Sequence, residues 1–226
     1  MTITTANLTR AAGLAAAVAG AIFIAVQINH PPMVGASAET TQWVVRSCAK
    51  AVMASLALAG ITGMYLRQVR QLGLLGLAGY LLFAGGYLAM LATEVIAAAV
   101  LPQLAGTEPG YVNDVIVSAA GGTPGGDIGG MQTVLNLAGL GYLGGGLLFG
   151  IALFRTGVLA RWASALLAVG AAGTAALAVL PESFNRPIAV PVGVALIGLG
   201  VSLWRNHQDP AAATGSSRPL REHAVR

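Results

Sequence analysis

Along this chain apolar residues gather into six blocks, separated by short breaks rich in proline, glycine or arginine. The blocks fall at 11–28, 43–66, 72–101, 131–154, 163–180 and 188–204. A helix of about 20 apolar residues crosses the hydrocarbon core of a bilayer, and each block approaches or exceeds that length. The breaks carry helix-ending chemistry: Pro31 and Pro32 after the first block, Pro102 after the third, Pro181 after the fifth. The pattern predicts an all-α polytopic membrane protein, a six-helix transmembrane bundle filling residues 1–205, with 206–226 as a disordered cytoplasmic tail.

One break is long enough to hold an element of its own. Between Pro102 and Gly130 the segment TEPGYVNDVIVSAA puts Tyr111, Val112, Val115, Ile116 and Ala119 on one helical face and Asn113, Asp114 and Ser118 on another. It predicts a short extracellular amphipathic helix, with Thr107 as N-cap and Pro109 in the first turn. The Gly-rich run after it reads as a connector.

Composition agrees with a membrane chain: 56% of residues are hydrophobic and 9% charged, far below the roughly 25% charged of a soluble domain. The net charge of +4 does not point to nucleic acid once the charges are located. Arg10, Arg67, Arg70, Arg155, Arg161, Arg205, Arg218, Arg221 and Arg226 all flank one side of the bundle, whereas the opposite loops hold Arg186. By the positive-inside rule both termini are expected in the cytoplasm of a cell inner membrane. Ala36, Ser37 and Ala38 form a small-residue cleavage pattern, but the first apolar block is longer than a signal core, and an uncleaved helix is expected. The single cysteine, Cys48, reads as a packing residue. Among the 31 glycines, Gly141-xxx-Gly145 and Gly146-xxx-Gly150 allow close helix approach, more within the bundle than between copies.

Candidate chemistry is sparse. Arg46, Lys50 and Glu94 are the ionisable groups placed at or below the membrane surface by the second and third blocks, and such groups are functional candidates by default. Counting from a chain reversal near Val69 brings Arg46 level with Glu94, which predicts an Arg46–Glu94 ion pair with Lys50 a turn deeper. These three, under the Tyr111 helix, form the candidate binding set: Arg46, Lys50, Glu94 and Tyr111. His30 is expected to face solvent or close a helix end.

No catalytic set, metal-ligand cluster, phosphate-cradling loop or redox pair of cysteines is found, so no cofactor is expected and an enzyme is disfavoured. The expected function is that of a non-enzymatic structural or accessory protein of the bacterial inner membrane; the alternative is binding or transport of a lipid or small anionic amphiphile. Membrane lipids are the expected partners and nucleic acid is not, with a homo-oligomer or a partner membrane protein left open.

Three stretches, INHPP, GITGMYLRQVRQLGLLGLAGYLLFAGGY and GGLLFGIALFRTGVLARWASALLAVGA, resemble a group of uncharacterised integral membrane proteins of high-GC Gram-positive bacteria. The resemblance covers nearly all of the membrane part. It implies a bacterial inner membrane and brings no activity to any residue.

Overall fold

The computed structural model describes residues 4–178 and 186–206. Most of the break after the fifth block and nearly all of the expected tail lie outside the described residues. Within them the first helix, α1 (Thr5–Ala25), starts before the expected Ala11. The Thr4 hydroxyl accepts the Asn7 amide at 3.2 Å, supplying the cap that the apolar pattern does not show. It also ends early, in a turn that closes at Asn29 with φ of 51°, a left-handed conformation that asparagine tolerates better than most.

A 3-10 turn (Gly35–Glu39) leads into α2 (Thr41–Arg67), whose Thr40 cap accepts the Trp43 amide. Next comes α3 (Val69–Ala99), which is broken near its start: Gly73 has φ of 59° and ψ of −162°, backbone that a side chain would strain. Beyond that break α3 continues as helix to Ala99. A single turn, α4 (Leu101–Leu104), contains Pro102 and leads to α5 (Pro109–Ala119).

After α5 come α6 (Gly130–Thr156), α7 (Arg161–Gly173) and α8 (Val190–Arg205). The chain continues past α7 as a 3-10 turn, Thr174–Ala178, and enters α8 through another, Pro187–Ala189. Among the described residues five helices are long and apolar enough to cross a membrane: α1, α2, α3, α6 and Pro187–Arg205. The fifth expected block, 163–180, is a shorter helix than its hydropathy suggests, and its last two residues lie outside the described set.

Helices pack in chain order around a ring, α1 on α2, α2 on α3, α3 on α6, α6 on α7 and α7 on α8, and α8 closes it against α1. The tightest seams are backbone to backbone. A Cβ on Gly141 of α6 would stand 2.7 Å from the Gly86 Cα of α3, and one on Gly200 of α8 would stand 2.6 Å from the Ala17 amide of α1. Only glycine permits that approach, and it gives these helices dispersion contact where the bilayer offers no hydrophobic drive. The two Gly-xxx-Gly pairs of α6 divide between neighbours: Gly141 and Gly145 meet α3, and Gly146 and Gly150 meet α7. Inside the ring lie Met53, Ile61, Phe83, Tyr87, Phe149, Leu167, Leu196 and Leu199, all essentially sealed.

The arginine-bearing end is tied by polar contacts between turns. Thr156 donates to Gln68 Oε1 at 2.6 Å, the Ala160 amide donates to Ser202 Oγ at 3.0 Å, and Asn206 Nδ2 reaches the Val158 carbonyl. The opposite end carries a cap with its own core of Ala38, Trp43, Leu101, Ala105, Val112, Val115, Ile116 and Ile128. Trp43 Nε1 donates to the Ala97 carbonyl, and Asn113 accepts the Gly35 amide, so α2 is tied to α3 and α5 to the 3-10 turn.

Two sequence expectations need correction here. The residue preceding α5 is Glu108, not Thr107, which instead donates to Leu104. The buried stripe of α5 is Val112, Val115 and Ile116, while Tyr111 and Ala119 are exposed, because the helix turns its 112–115–116 edge to the cap core.

Candidate functional site

Lys50 comes from the third turn of α2 and Glu94 from the far part of α3, at the cap end of the ring. Lys50 Nζ stands 3.4 Å from Glu94 Oε1, with both side chains largely buried, and the buried Ser47 adjoins the carboxylate. This corrects the expected partner, since Glu94 pairs with Lys50 and not with Arg46. The reason lies in α1. The turn that ends α1 presents the Val26 and Asn29 carbonyls toward α2, and a helix end of this polarity carries partial negative charge that attracts a cation. Arg46 is drawn there, donating from Nη1 to the Val26 carbonyl at 2.9 Å and from Nη2 to the Asn29 carbonyl at 3.0 Å.

A cavity of about 350 Å³ opens beside the ion pair. Its charged wall is Lys50, Glu94 and Arg186, and its polar wall includes Gln27 and Thr174. Phe23, Met33, Met53, Met90 and Tyr142 supply apolar surface. Two cations against one carboxylate leave a surplus positive charge, and Arg46 adds another just behind the Val26 carbonyl. In a low-dielectric setting such a surplus attracts an anion strongly.

Arg186 enters the site from the segment before α8. Its Nη2 lies 3.0 Å from His30 Nδ1, and Nη1 reaches Gln27 Oε1 at 3.5 Å. The same His30 nitrogen lies 2.8 Å from the Pro31 carbonyl. One nitrogen cannot donate to Pro31 and accept from Arg186 together, so the two contacts are alternatives chosen by the tautomer. Burial, reinforced by the charges of Lys50, Arg186 and Arg46, depresses the His30 pKa from 6.5 to about 4 despite the opposing pull of Pro31. His30 is therefore neutral at physiological pH and half-buried, not a solvent-facing cap. Arg186 is also lowered from its ordinary value, by burial and then by Arg46, though a guanidinium keeps its proton throughout the accessible range.

Of the four sequence candidates, the cavity wall gathers Lys50 and Glu94. Arg46 stands behind it, and Tyr111 is apart, since α5 reaches the cavity through Ala119 and Ala120 at its other end. Sequence reasoning missed Arg186, Gln27, Thr174 and Tyr142. Arg186 had a signal, being a lone basic residue among acidic loops; the others are ordinary polar residues near helix ends or within a span. Tyr142 is almost fully buried and its hydroxyl has no hydrogen-bond partner, as is also true of the neighbouring Tyr87.

Elsewhere a larger groove, about 990 Å³, runs between α1 and α2 at the arginine-bearing end and is lined mainly by alanine and threonine, with Arg67 and Arg70 among its residues. Its arginines are exposed, whereas the largely buried Lys50 and Glu94 lie at the cap end. Among the described residues no three His, Cys, Asp or Glu side chains come together as a metal site would require. Compared with protein-family models, curated proteins and solved structures, the chain matches none.

Proposed function

We propose that this chain is a non-enzymatic inner-membrane protein that binds an anionic amphiphile in the cavity at Lys50, Glu94 and Arg186. The carrying observation is that cavity itself, which reaches the buried ion pair and leaves an unmatched cation on its wall. A purely structural role, the first expectation from sequence, would be served by close packing around the charges, and it is the open space there that favours binding. Buried charge in a membrane protein is costly to keep, and lining a cavity is a common use for it.

In the proposed topology six helices span the membrane, both termini are cytoplasmic, and α5 covers the extracellular end. The thirteen residues of α7 rise about 20 Å, and the 3-10 turn that follows adds about 10 Å, enough for the roughly 30 Å of a hydrocarbon core. Arg67, Arg70, Arg155, Arg161 and Arg205 sit together at one end, as the positive-inside rule asks of a cytoplasmic face.

Native mass spectrometry of the purified protein tests the binding role. A co-purifying anionic species that is lost in Arg186→Gln, with the fold intact, is the expected result; no bound species in either protein, and no response to added anionic lipid, would refute it. Topology is tested by labelling after Cys48 is replaced: a cysteine at Thr123 should react from outside and one at Arg70 only after permeabilisation.

A further inference from the structure

A second cavity, of about 670 Å³, lies against the first, and the two share Met90, Glu94, Ala119, Ala120, Tyr142 and Thr174 on their walls. Its walls come from α3 at Met90, Thr93 and Glu94, from α6 between Leu135 and Leu143, and from Thr174 and Ala175 in the turn after α7. At the Gly86–Gly141 crossing the backbones of α3 and α6 touch, whereas Gly139, about 200° round α6 from Gly141, faces away from that seam, and a Cβ there would meet nothing within 4 Å.

That room opens on the flank of the ring. Leu140, which lines it, is 71% exposed, and its neighbour Leu137 is 58% exposed. These are side chains that a bilayer would cover. The polar groups around the same cavity are mostly spent on each other: Thr93 Oγ1 donates to the Met90 carbonyl, and Gln132 Nε2 donates to Asn136 Oδ1. Leu135, Leu140 and Leu143 set an apolar character, and the charged groups available to a ligand are at the inner end, where the cavity meets Glu94 and, through the shared wall, Lys50 and Arg186. Both volumes fall in the ~300–1,000 Å³ range typical of ligand sites.

Building on the binding role proposed above, we infer that the ligand is an anionic lipid which enters sideways from the bilayer along the flank of α6 at Gly139 and Leu140, its hydrocarbon chain in the Leu135–Leu143 compartment and its head at Lys50 and Arg186. Gly139 is the mouth of this route. An apolar passage leading to buried cations suits a molecule with a chain at one end and an anion at the other. A small free anion would need no such passage.

The test uses the full chain in zwitterionic lipid nanodiscs with two probes of one head chemistry: oleoyl lysophosphatidate, which has a chain, and glycerol phosphate, which has none. Gly139→Trp places an indole in the mouth, Leu140→Trp repeats the block from a side chain already exposed, and Gly144→Trp is a control on α6 where a new side chain also meets open space. The expected result is that the first two variants weaken lysophosphatidate binding more than tenfold and leave the weaker glycerol phosphate response unchanged, while Gly144→Trp alters neither. Retained glycerol phosphate binding also reports an intact fold. Unchanged lysophosphatidate affinity in both blocked variants would overturn the lateral route and leave the binding role standing. Binding of glycerol phosphate without lysophosphatidate would overturn the lipid assignment alone. Binding of neither probe to the unmodified protein would overturn the inference together with the role on which it rests.

Discussion

Lys50 and Glu94 face each other across the α2–α3 hairpin at 3.4 Å, and that contact is the described ion pair at the cap end of the bundle. Removing one partner leaves the other charged and poorly solvated, whereas removing both leaves no such debt. Glu94→Gln or Lys50→Met alone should cost about 2 kcal/mol, less than the ~3–5 kcal/mol of a fully sealed pair because both side chains keep some exposure. The double variant should recover much of that loss in thermal melts in detergent. Additive losses for Lys50 and Glu94, or coupling found instead between Arg46 and Glu94, would contradict the geometry.

Acid should destabilise the folded chain through His30. Its folded pKa of about 4 lies below the ordinary 6.5, so the unfolded chain binds the proton more readily. The contribution is fully present above pH 6.5 and is lost progressively as pH falls toward 4. Melting temperatures measured from pH 7.5 to 4.5 should fall over that window, and His30→Gln should flatten the decline. A parallel decline in both proteins would place the sensitive group elsewhere.

Tyr87 presents the opposite situation to a functional polar group. It is wholly buried in a ring of aromatics with Phe83 and Tyr142, and its hydroxyl has no partner. Tyr87→Phe removes an unpaired polar atom at nearly constant shape, and should leave stability unchanged or raise it by about 1 kcal/mol. A loss of more than that in a thermal melt would mean that the hydroxyl is bonded after all.

The two kinds of glycine on α6 should respond differently to one added methyl. At Gly141 the new Cβ would press on the Gly86 backbone, which cannot move as a flexible side chain would, and Gly141→Ala should cost about 1–3 kcal/mol. At Gly144 it meets nothing, and Gly144→Ala should be neutral or stabilise by about 0.5–1 kcal/mol through helix propensity alone. Equal effects at the two sites would argue against the α3–α6 seam.

The helices were readable because span length and proline breaks are local properties of the sequence. The identity of the buried pair was not, because it depends on a third party: the carbonyls of Val26 and Asn29 after α1 claim Arg46, and nothing in the α2–α3 hairpin announces that. Tyr111 was misplaced by one position on a helical wheel. A stripe at 111, 112, 115 and 116 is wider than the cap core that receives it, and the fold chose the 112–115–116 edge. Gly73 shows the same limit in backbone form, since a glycine inside an apolar run reads as a packing residue until its positive φ is seen.

The closure of the ring by α8 against α1 sets an order on how the protein is made. A ribosome delivers α1 to the membrane long before α8 exists, so the glycine face of α1 at Gly13 and Gly20, which meets the backbone of α8 in the finished protein, has no final partner during synthesis. The α2–α3 hairpin can assemble on α1 as it emerges, and α6 can join it, but the side of α1 that meets α8 must wait. In the interval its small-residue face is open to other chains or to helper proteins of the insertion machinery. Stalling synthesis after α7 should therefore yield a membrane intermediate in which α1 is accessible to crosslinking from outside the bundle, and release of α8 should end that accessibility in a single late step.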